Sequence, residues 1–333
     1  MIIPVHRPFM KRHDMDAVLQ CLVADLVKGG ETTTHLEDEV KLLFGGKSAL
    51  ALRTMDDAVD LLLLGWQTQG GSTVHVSALA DARWVMRAKE AGLPHRILDV
   101  GLDGQPEALP EDPGALVVLS EPAGTRPQAA GAESFGGYLA LDASEGVLPI
   151  AGEPAADFVF VSTEVTDRLT TGGGAILVAG RSRVASPLRQ LVAERAPFRL
   201  PDLNAALGVT QLKTLPKRLE RVRAIAARFI EALGGSRHRV FAAGSIEDRA
   251  WHGFPIVVDS PPKDVLQYAR KHGVEAVPMF EHSCAGRLEE LSLTSEGIDN
   301  AMDLFRRTIR FPLYSGLTSS DVTQISRVLS SLP

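Results

Sequence analysis

Short apolar runs recur along the first 180 residues, and most of them are separated by stretches with helical spacing. Apolar runs of four to eight residues bounded by turn signals are typical of buried strands. Strands joined by helical crossovers predict a mainly parallel sheet with helices on both faces. The fold class predicted from this pattern is therefore α/β. The seven runs are ALAL (49–52), TVHVSA (73–78), HRILDV (95–100), ALVVLS (115–120), YLALD (138–142), DFVFVS (157–162) and GGAILVAG (173–180).

Helical patterns dominate both ends of the chain. Near the start, Asp14 can cap a helix that carries Val18, Leu22 and Leu26 at i, i+4 and i+8. From about residue 201 a long helical stretch begins, and Pro216 is expected to break it. Short strands and two further helical patterns follow. We predict a large domain over 1–215 and a smaller C-terminal α/β domain over 216–333.

Composition narrows the class of protein. Of the 333 residues, 45% are hydrophobic and 23% are charged, as in ordinary globular proteins. The formal net charge is −6 and the basic residues are scattered, which argues against a nucleic-acid surface. The longest apolar run, LLLLGW, is too short to span a bilayer. We expect a cytoplasmic protein without a membrane anchor, whose two cysteines, Cys21 and Cys284, are buried thiols.

Three stretches together resemble one enzyme family. They are RLPDLNAALGVTQLKTLPKRLERVRAIAARFIEAL, the C-terminal RFPLYSGLTSSDVTQISRVL, and the opening helices of the chain. Their motifs and spacing are similar to those of the DegT/DnrJ/EryC1/StrS sugar aminotransferases, which are pyridoxal-phosphate (PLP) enzymes of fold type I. The resemblance implies a PLP-transferase type I fold and a dimer. It also implies a role in nucleotide-sugar or secondary-metabolite biosynthesis.

The glycine-rich cofactor loop departs from that family. The family run is close to SFHPTKNLTTGEGG, whereas this chain has STEVTDRLTTGGG. The resemblance places Ser162 at the serine that contacts phosphate. It places Asp167 at the Schiff-base lysine and Glu164 at the histidine. No lysine occurs between Lys89 and Lys213. A carboxyl group cannot form a Schiff base, so covalent attachment of PLP is not expected.

The rest of the implied cofactor site is also altered. Where the family has Ser-Gly-Thr at a helix start, this chain has Thr54, then Met55, Asp56 and Asp57. Carboxylates there suit the helix dipole but would repel a phosphate dianion. Asp142 stands at the aspartate that pairs with the pyridine nitrogen. Two further positions change: Pro197 replaces an asparagine that reaches the neighbouring subunit, and Ala80 falls where a ring-stacking residue belongs, with Trp84 one turn later.

Loss of PLP binding would explain all these changes at once. The first hypothesis is therefore a degenerate sugar-aminotransferase-like protein with no cofactor, or with PLP or PMP bound non-covalently at best. It would act as a pseudoenzyme subunit or as a repurposed enzyme. The expected assembly is a homodimer, or a heterodimer with a lysine-bearing paralogue, and a sugar nucleotide or another metabolite is a possible ligand.

Two alternatives stay open. The first is an active PLP- or PMP-dependent aminotransferase or dehydratase acting on a keto-sugar nucleotide. The resemblance allows it, because a dehydratase branch of the family replaces the lysine with histidine and still uses PLP. The second is PLP-independent acid–base catalysis by Asp142, Glu164 and Asp167 in the old cofactor cavity.

Further candidate pocket residues come from other stretches. The segment MFEHSCAGRLEE offers Glu281 and His282, and its spacing fits no strong zinc pattern, so no metal is expected. Arg199 and Trp84 complete the set of predicted pocket residues.

Overall fold

The computed structural model describes residues 2–8, 10–127, 132, 134–150, 156–193, 198–242 and 245–333. The candidate Pro197 lies outside these residues. The described part contains a seven-stranded sheet and a four-stranded sheet. The strands are β1 Ser48–Leu52, β2 Val74–Ser77, β3 His95–Leu98, β4 Leu116–Ser120, β5 Tyr138–Asp142, β6 Phe158–Ser162, β7 Ala175–Ala179, β8 Arg239–Val240, β9 Phe254–Val257, β10 Val277–Pro278 and β11 Thr308–Phe311.

The large sheet is mainly parallel. Its strand order is β1-β7-β6-β5-β4-β2-β3. The five strands from β6 to β3 in that order are mutually parallel. Strand β7 runs antiparallel to both of its neighbours, β6 and β1. Six of the seven apolar runs contain one of these strands whole and the run 49–52 covers all of β1 except Ser48, so the α/β prediction is confirmed.

Helices cover both faces of this sheet. On one face α3, α4 and α5 pack around buried Leu62, Trp66 and Trp84. On the other face α2 and the first half of α6 pack around Leu36 and Phe44. The helices are α1 Arg12–Val23, α2 Glu31–Leu43, α3 Met55–Gln67, α4 Arg83–Glu90, α5 Ser182–Ala193, α6 Asp202–Leu233, α7 Pro262–Lys271, α8 Leu288–Leu291, α9 Asp299–Arg307 and α10 Ser319–Leu329.

The small sheet has the order β10-β11-β9-β8 and is antiparallel throughout. The second half of α6 packs on its core, together with α7 and α10. Helix α6 therefore contacts the large-sheet core through Leu219 and the small-sheet core from Val222 onward. The domain boundary near residue 215 stays a prediction.

Two local expectations are wrong. Helix α6 runs unbroken for 32 residues with Pro216 inside it, because Leu215 and Leu219 on either side are buried in the large-sheet core. Helix α1 forms, but Leu22 lies on its exposed side and Leu26, just past its end, is exposed as well. Within the described residues, no helix is both long and apolar enough to cross a membrane.

Candidate active site

A cavity of about 730 Å³ opens where the parallel strands β4, β5 and β6 end. In open α/β sheets, ligands bind at the carboxyl ends of the strands. Here the strand ends contribute Ser120, Asp142 and Ser162. The start of α3, the start of α4 and residues of the small sheet form the walls. The space at the ends of these strands is thus open rather than filled by side chains.

Asp142 is held firmly at the floor of the cavity. Its Oδ2 accepts a hydrogen bond from Trp84 Nε1 at 3.0 Å, and its Oδ1 accepts from the backbone N–H and the hydroxyl of Ser144. Burial raises the pKa of Asp142 to about 6, although these hydrogen bonds oppose the shift. The carboxyl is therefore placed to face a cationic or N–H-bearing ligand group.

Asp167 lies in the same cavity, in the loop between β6 and β7. Its Oδ2 accepts hydrogen bonds from the Ser162 hydroxyl and from the Glu164 backbone N–H at 2.8 Å. Burial raises the pKa of Asp167 to about 7, and the carboxylates of Glu145 and Asp142 raise it further. A group with this pKa can both release and accept a proton near neutral pH.

A hydrogen-bonded chain joins the two aspartates. The Ser144 hydroxyl donates to Asp142 and accepts from the Ser162 backbone N–H at 2.9 Å. The Ser162 hydroxyl in turn contacts Asp167. The relative position of the two carboxyl groups is therefore fixed by two serines.

The α3 wall repels an anion less strongly than its two aspartates indicate. Asp57 does not line the cavity, because it forms the helix cap: Thr54 Oγ1 accepts from the Asp57 N–H and donates to its carboxylate. Asp56 does line the cavity, but it forms an ion pair with Arg83 on α4. The charge expected to repel a phosphate is thus compensated.

The opposite wall comes from the small sheet and the N-terminal segment. Arg310 on β11 pairs with Glu145, which follows Asp142 on the large domain. The His6 and His252 rings stack beside this pair, with their centroids 5.3 Å apart. Burial lowers the pKa of His6 to about 4 and that of His252 well below its usual value, so both rings are neutral at pH 7.

The structure gathers only part of the predicted set. Asp142, Ser162, Glu164, Asp167 and His282 line the cavity together with Ala80.

Four other predicted residues do not line it. Thr54 caps α3, Glu281 is exposed, and Arg199 pairs with Glu37. Trp84 is 1% exposed and lies beneath the floor, where it positions Asp142 instead of stacking on a ligand.

Sequence reasoning missed Arg83, Glu121, Glu145 and Arg310. Their partners are distant in sequence, apart from Arg126, which pairs with Glu121 only five residues away. Glu121 and Glu145 both come shortly after the end of a predicted strand. This position in the sequence is the feature by which they could have been predicted to face the cavity.

The sheet order and the cavity at its strand ends define the fold of PLP-dependent transferases of fold type I. Spr1654 of Streptococcus pneumoniae, described as a proposed sugar aminotransferase, matches in its PLP form with a TM-score of 0.85 at 17% identity. This match covers 99% of this chain and 98% of that chain. The E. coli GDP-4-keto-6-deoxy-D-mannose-3-dehydratase with bound hydrated PLP matches with a TM-score of 0.85 at 16% identity, over 99% of this chain and 100% of the other.

The family resemblance is confirmed as well. Residues 178–330 match the model of the DegT/DnrJ/EryC1/StrS aminotransferase family, to which the chain is thereby related. EpsN of Bacillus subtilis (strain 168), named for a proposed pyridoxal phosphate-dependent aminotransferase activity, is 24% identical. That alignment covers 91% of this chain and 88% of EpsN.

The expectation that no cofactor is bound is overturned by these comparisons. Spr1654 has been solved in both a PLP form and a PMP form, and the dehydratase structure holds hydrated PLP. The site in this chain also has room for such a group, and buried Asp142 suits a protonated ring nitrogen. Among the described residues that line the cavity, none is a lysine. The residues therefore fit PLP or PMP held without a covalent bond.

Proposed function

We propose that this protein is an enzyme that binds PMP or PLP non-covalently, with Asp167 as the acid–base group in place of the Schiff-base lysine. The substrate we propose is a keto-sugar nucleotide, and the reaction an amino transfer or a dehydration in nucleotide-sugar or secondary-metabolite biosynthesis. The aminotransferases and the dehydratase among the similar proteins support this reaction class.

The observation that carries the proposal is the placement of Asp167. It faces the same cavity as Asp142, and the serine chain holds the two carboxyl groups in fixed positions. Its raised pKa, about 7, suits proton transfer at physiological pH. A purely vestigial loop has no need for a desolvated carboxyl held at that position.

Each residue then has a defined task. Asp142 would hold the ring nitrogen through its carboxylate, while Trp84 and Ser144 keep that carboxylate in place. Asp167 would accept or donate a proton at its Oδ atoms, with Ser162 orienting it. When bound, the cofactor supplies the electron sink that carbanion chemistry needs.

Calorimetric titration with PMP tests the binding part of the proposal. Wild-type protein should bind PMP, and Asp142→Ala should bind it at least roughly tenfold more weakly, because a charged hydrogen bond to the ring is lost. An absence of binding by wild-type protein would refute the proposal.

The catalytic part needs a separate measurement. PMP-loaded protein is mixed with a panel of keto-sugar nucleotides, and sugar products are followed by mass spectrometry. Asp167→Asn should keep its PMP affinity and lose at least about 100-fold in rate, as expected when a positioned acid–base group is removed. Equal rates for the variant and wild type would exclude Asp167 from proton transfer.

A second candidate is an accessory subunit of a lysine-bearing paralogue. It is favoured by the absence of lysine among the described cavity residues and by an exposed apolar strip on α1. Co-expression with such a paralogue, followed by mass measurement of the complex, separates the two. Activity that arises only in the heterodimer, and survives Asp167→Asn, would favour the accessory role.

A further inference from the structure

Two acid–arginine pairs line up along the edge of the cavity. Asp56 and Asp60 are one turn apart on α3, and Arg83 and Arg87 are one turn apart on α4. Asp56 pairs with Arg83, and Asp60 pairs with Arg87. Both arginines line the cavity.

The two arginines differ in how many of their guanidinium nitrogens form hydrogen bonds. Arg87 engages Asp60 through Nε at 2.8 Å and through a second nitrogen, and its third nitrogen contacts Glu90. Arg83 engages Asp56 through one terminal nitrogen. Its Nε is buried and has no hydrogen-bond partner among the described residues. Because this Nε has no accessible surface, the donor left for a ligand in the cavity is the second terminal nitrogen of Arg83, which also has no hydrogen-bond partner among the described residues.

The other cations of the cavity are engaged elsewhere. Arg310 is paired with Glu145 on the opposite wall, although its Nε is also buried without a partner among the described residues. Arg287 contacts Glu290 and His282. The Ser162 hydroxyl is directed to Asp167 and to the sulfur of Met55. On the wall formed by α3 and α4, Arg83 is therefore the arginine with guanidinium nitrogens that lack a hydrogen-bond partner among the described residues.

We propose that Arg83 binds the phosphate group of PLP or PMP, as a replacement for the polar side chains missing from the α3 wall. This assignment rests on the proposed function. Arginine presents a planar set of N–H donors that matches phosphate geometry. The backbone N–H groups of Met55 and Asp56, in the first turn of α3, lack intrahelical partners and form the positive end of the helix dipole. Asp56 then orients the guanidinium rather than excluding the anion.

The test compares two ligands that differ only in the phosphate. Binding of PMP and of pyridoxamine is measured by calorimetry for wild type, Arg83→Gln, Arg83→Lys and Arg87→Gln. Wild type should prefer PMP. Arg83→Gln should lose roughly tenfold or more in PMP affinity and nothing in pyridoxamine affinity, because one charge-assisted contact is removed. Arg83→Lys, which keeps the charge without the planar donors, should lie between the two.

Arg87→Gln is the matched control, since Arg87 lies one turn away in a comparable pair and each of its three guanidinium nitrogens has a hydrogen-bond partner. Its PMP affinity should equal that of wild type. Urea unfolding of each variant shows whether it is folded. Unchanged PMP affinity in a folded Arg83→Gln protein overturns the role of Arg83 and leaves the proposed function intact. Failure of the wild type to bind either PMP or PLP overturns both.

Discussion

Asp167 sits in surroundings that favour the neutral form of a carboxyl group. Two donors, the Ser162 hydroxyl and the Glu164 N–H, converge on one of its oxygens. Burial and two neighbouring carboxylates have the opposite effect and outweigh these hydrogen bonds, so the pKa of Asp167 is raised. The same burial would lower the pKa of an amine and keep it nucleophilic.

The first prediction follows from the opposite effects of burial on the pKa of a carboxyl group and on that of an amine. Asp167→Lys should convert the site into one that bonds covalently to PLP, because burial favours the neutral, nucleophilic amine against the opposing effect of the nearby carboxylates. Incubation with PLP followed by borohydride reduction should raise the intact-protein mass by one reduced cofactor. Wild type treated in parallel should gain no mass, and an unmodified variant would contradict the placement of Asp167 at the lysine position.

The second prediction concerns pH. The pKa of Asp167 is about 7 in the folded chain, against about 3.9 for an ordinary aspartate. Between these values the folded state keeps a proton that the unfolded state has lost, so the free energy of unfolding falls as pH rises from 4 to 7. Asp167→Asn should remove that decline. Urea unfolding at pH 8 should show the variant more stable than wild type by up to about 4 kcal/mol, with little difference near pH 4. A constant difference across this range would argue against a raised pKa.

At the residue scale, the sequence could identify positions but not partners. Asp142, Ser162 and Asp167 follow from the loop and strand motifs, and they do share a cavity. The compensation of Asp56 by Arg83 depends on the packing of α3 against α4, which no local pattern encodes. That missing pair is one reason, beside the absent lysine, why the sequence favoured a site without a cofactor.

Among the secondary-structure elements, the turn after β5 is the most tightly packed part of the site. A Cβ at Gly146 would lie 1.3 Å from Oε2 of Glu121. Glu121 is fully buried and pairs with Arg126 at 2.6 Å. Any side chain at Gly146 must therefore displace the buried Glu121 carboxylate, whose other oxygen pairs with Arg126.

The third prediction is that Gly146→Ala destabilises the fold by roughly 3–5 kcal/mol, the usual cost of breaking a buried ion pair. Thermal and urea unfolding measure the change. Gly235→Ala provides the control, because no atom lies within 4 Å of its added Cβ and the change there should stay within about 0.5 kcal/mol. Equal stability of both variants would refute the packing argument.

Elements were predictable where periodicity was strong. The five inner strands of the large sheet lie inside apolar runs, because strands buried on both faces need continuous apolar sequence. The prediction that Pro216 breaks the helix is wrong because the free-energy cost of a proline inside α6 is offset by burial of Leu215 and Leu219. The exposure of α1 could not be predicted either, since an apolar stripe does not specify what covers it.

At the scale of the whole molecule, that stripe holds four of the twelve large apolar side chains that are exposed in the described residues. Met15, Leu19, Leu22 and Val23 lie on the outer side of α1, and Val23 is 79% exposed. Contiguous exposed apolar residues usually mark an interface. The dimer expected from the family resemblance stays a prediction, and this face is where we expect it.

The fourth prediction tests that face. Leu19→Lys combined with Val23→Lys should shift the protein toward monomer, because paired subunits would bury two like charges on each side. Size-exclusion chromatography with light scattering measures the mass. The exposed Leu102→Lys is the control for added charge and should leave the mass unchanged. A wild type that is monomeric at all concentrations would remove the basis for the prediction.

The hydrogen bond from Trp84 to Asp142 has an optical consequence. Its indole lies one hydrogen bond from the carboxyl proposed to hold the cofactor ring, and the chain contains only two other tryptophans, Trp66 and Trp251. A pyridoxal ring absorbs where tryptophan emits, so a bound ring should quench Trp84 by energy transfer. A loss of fluorescence on addition of PMP or PLP that does not occur in Trp84→Phe would report cofactor binding at the floor of the cavity.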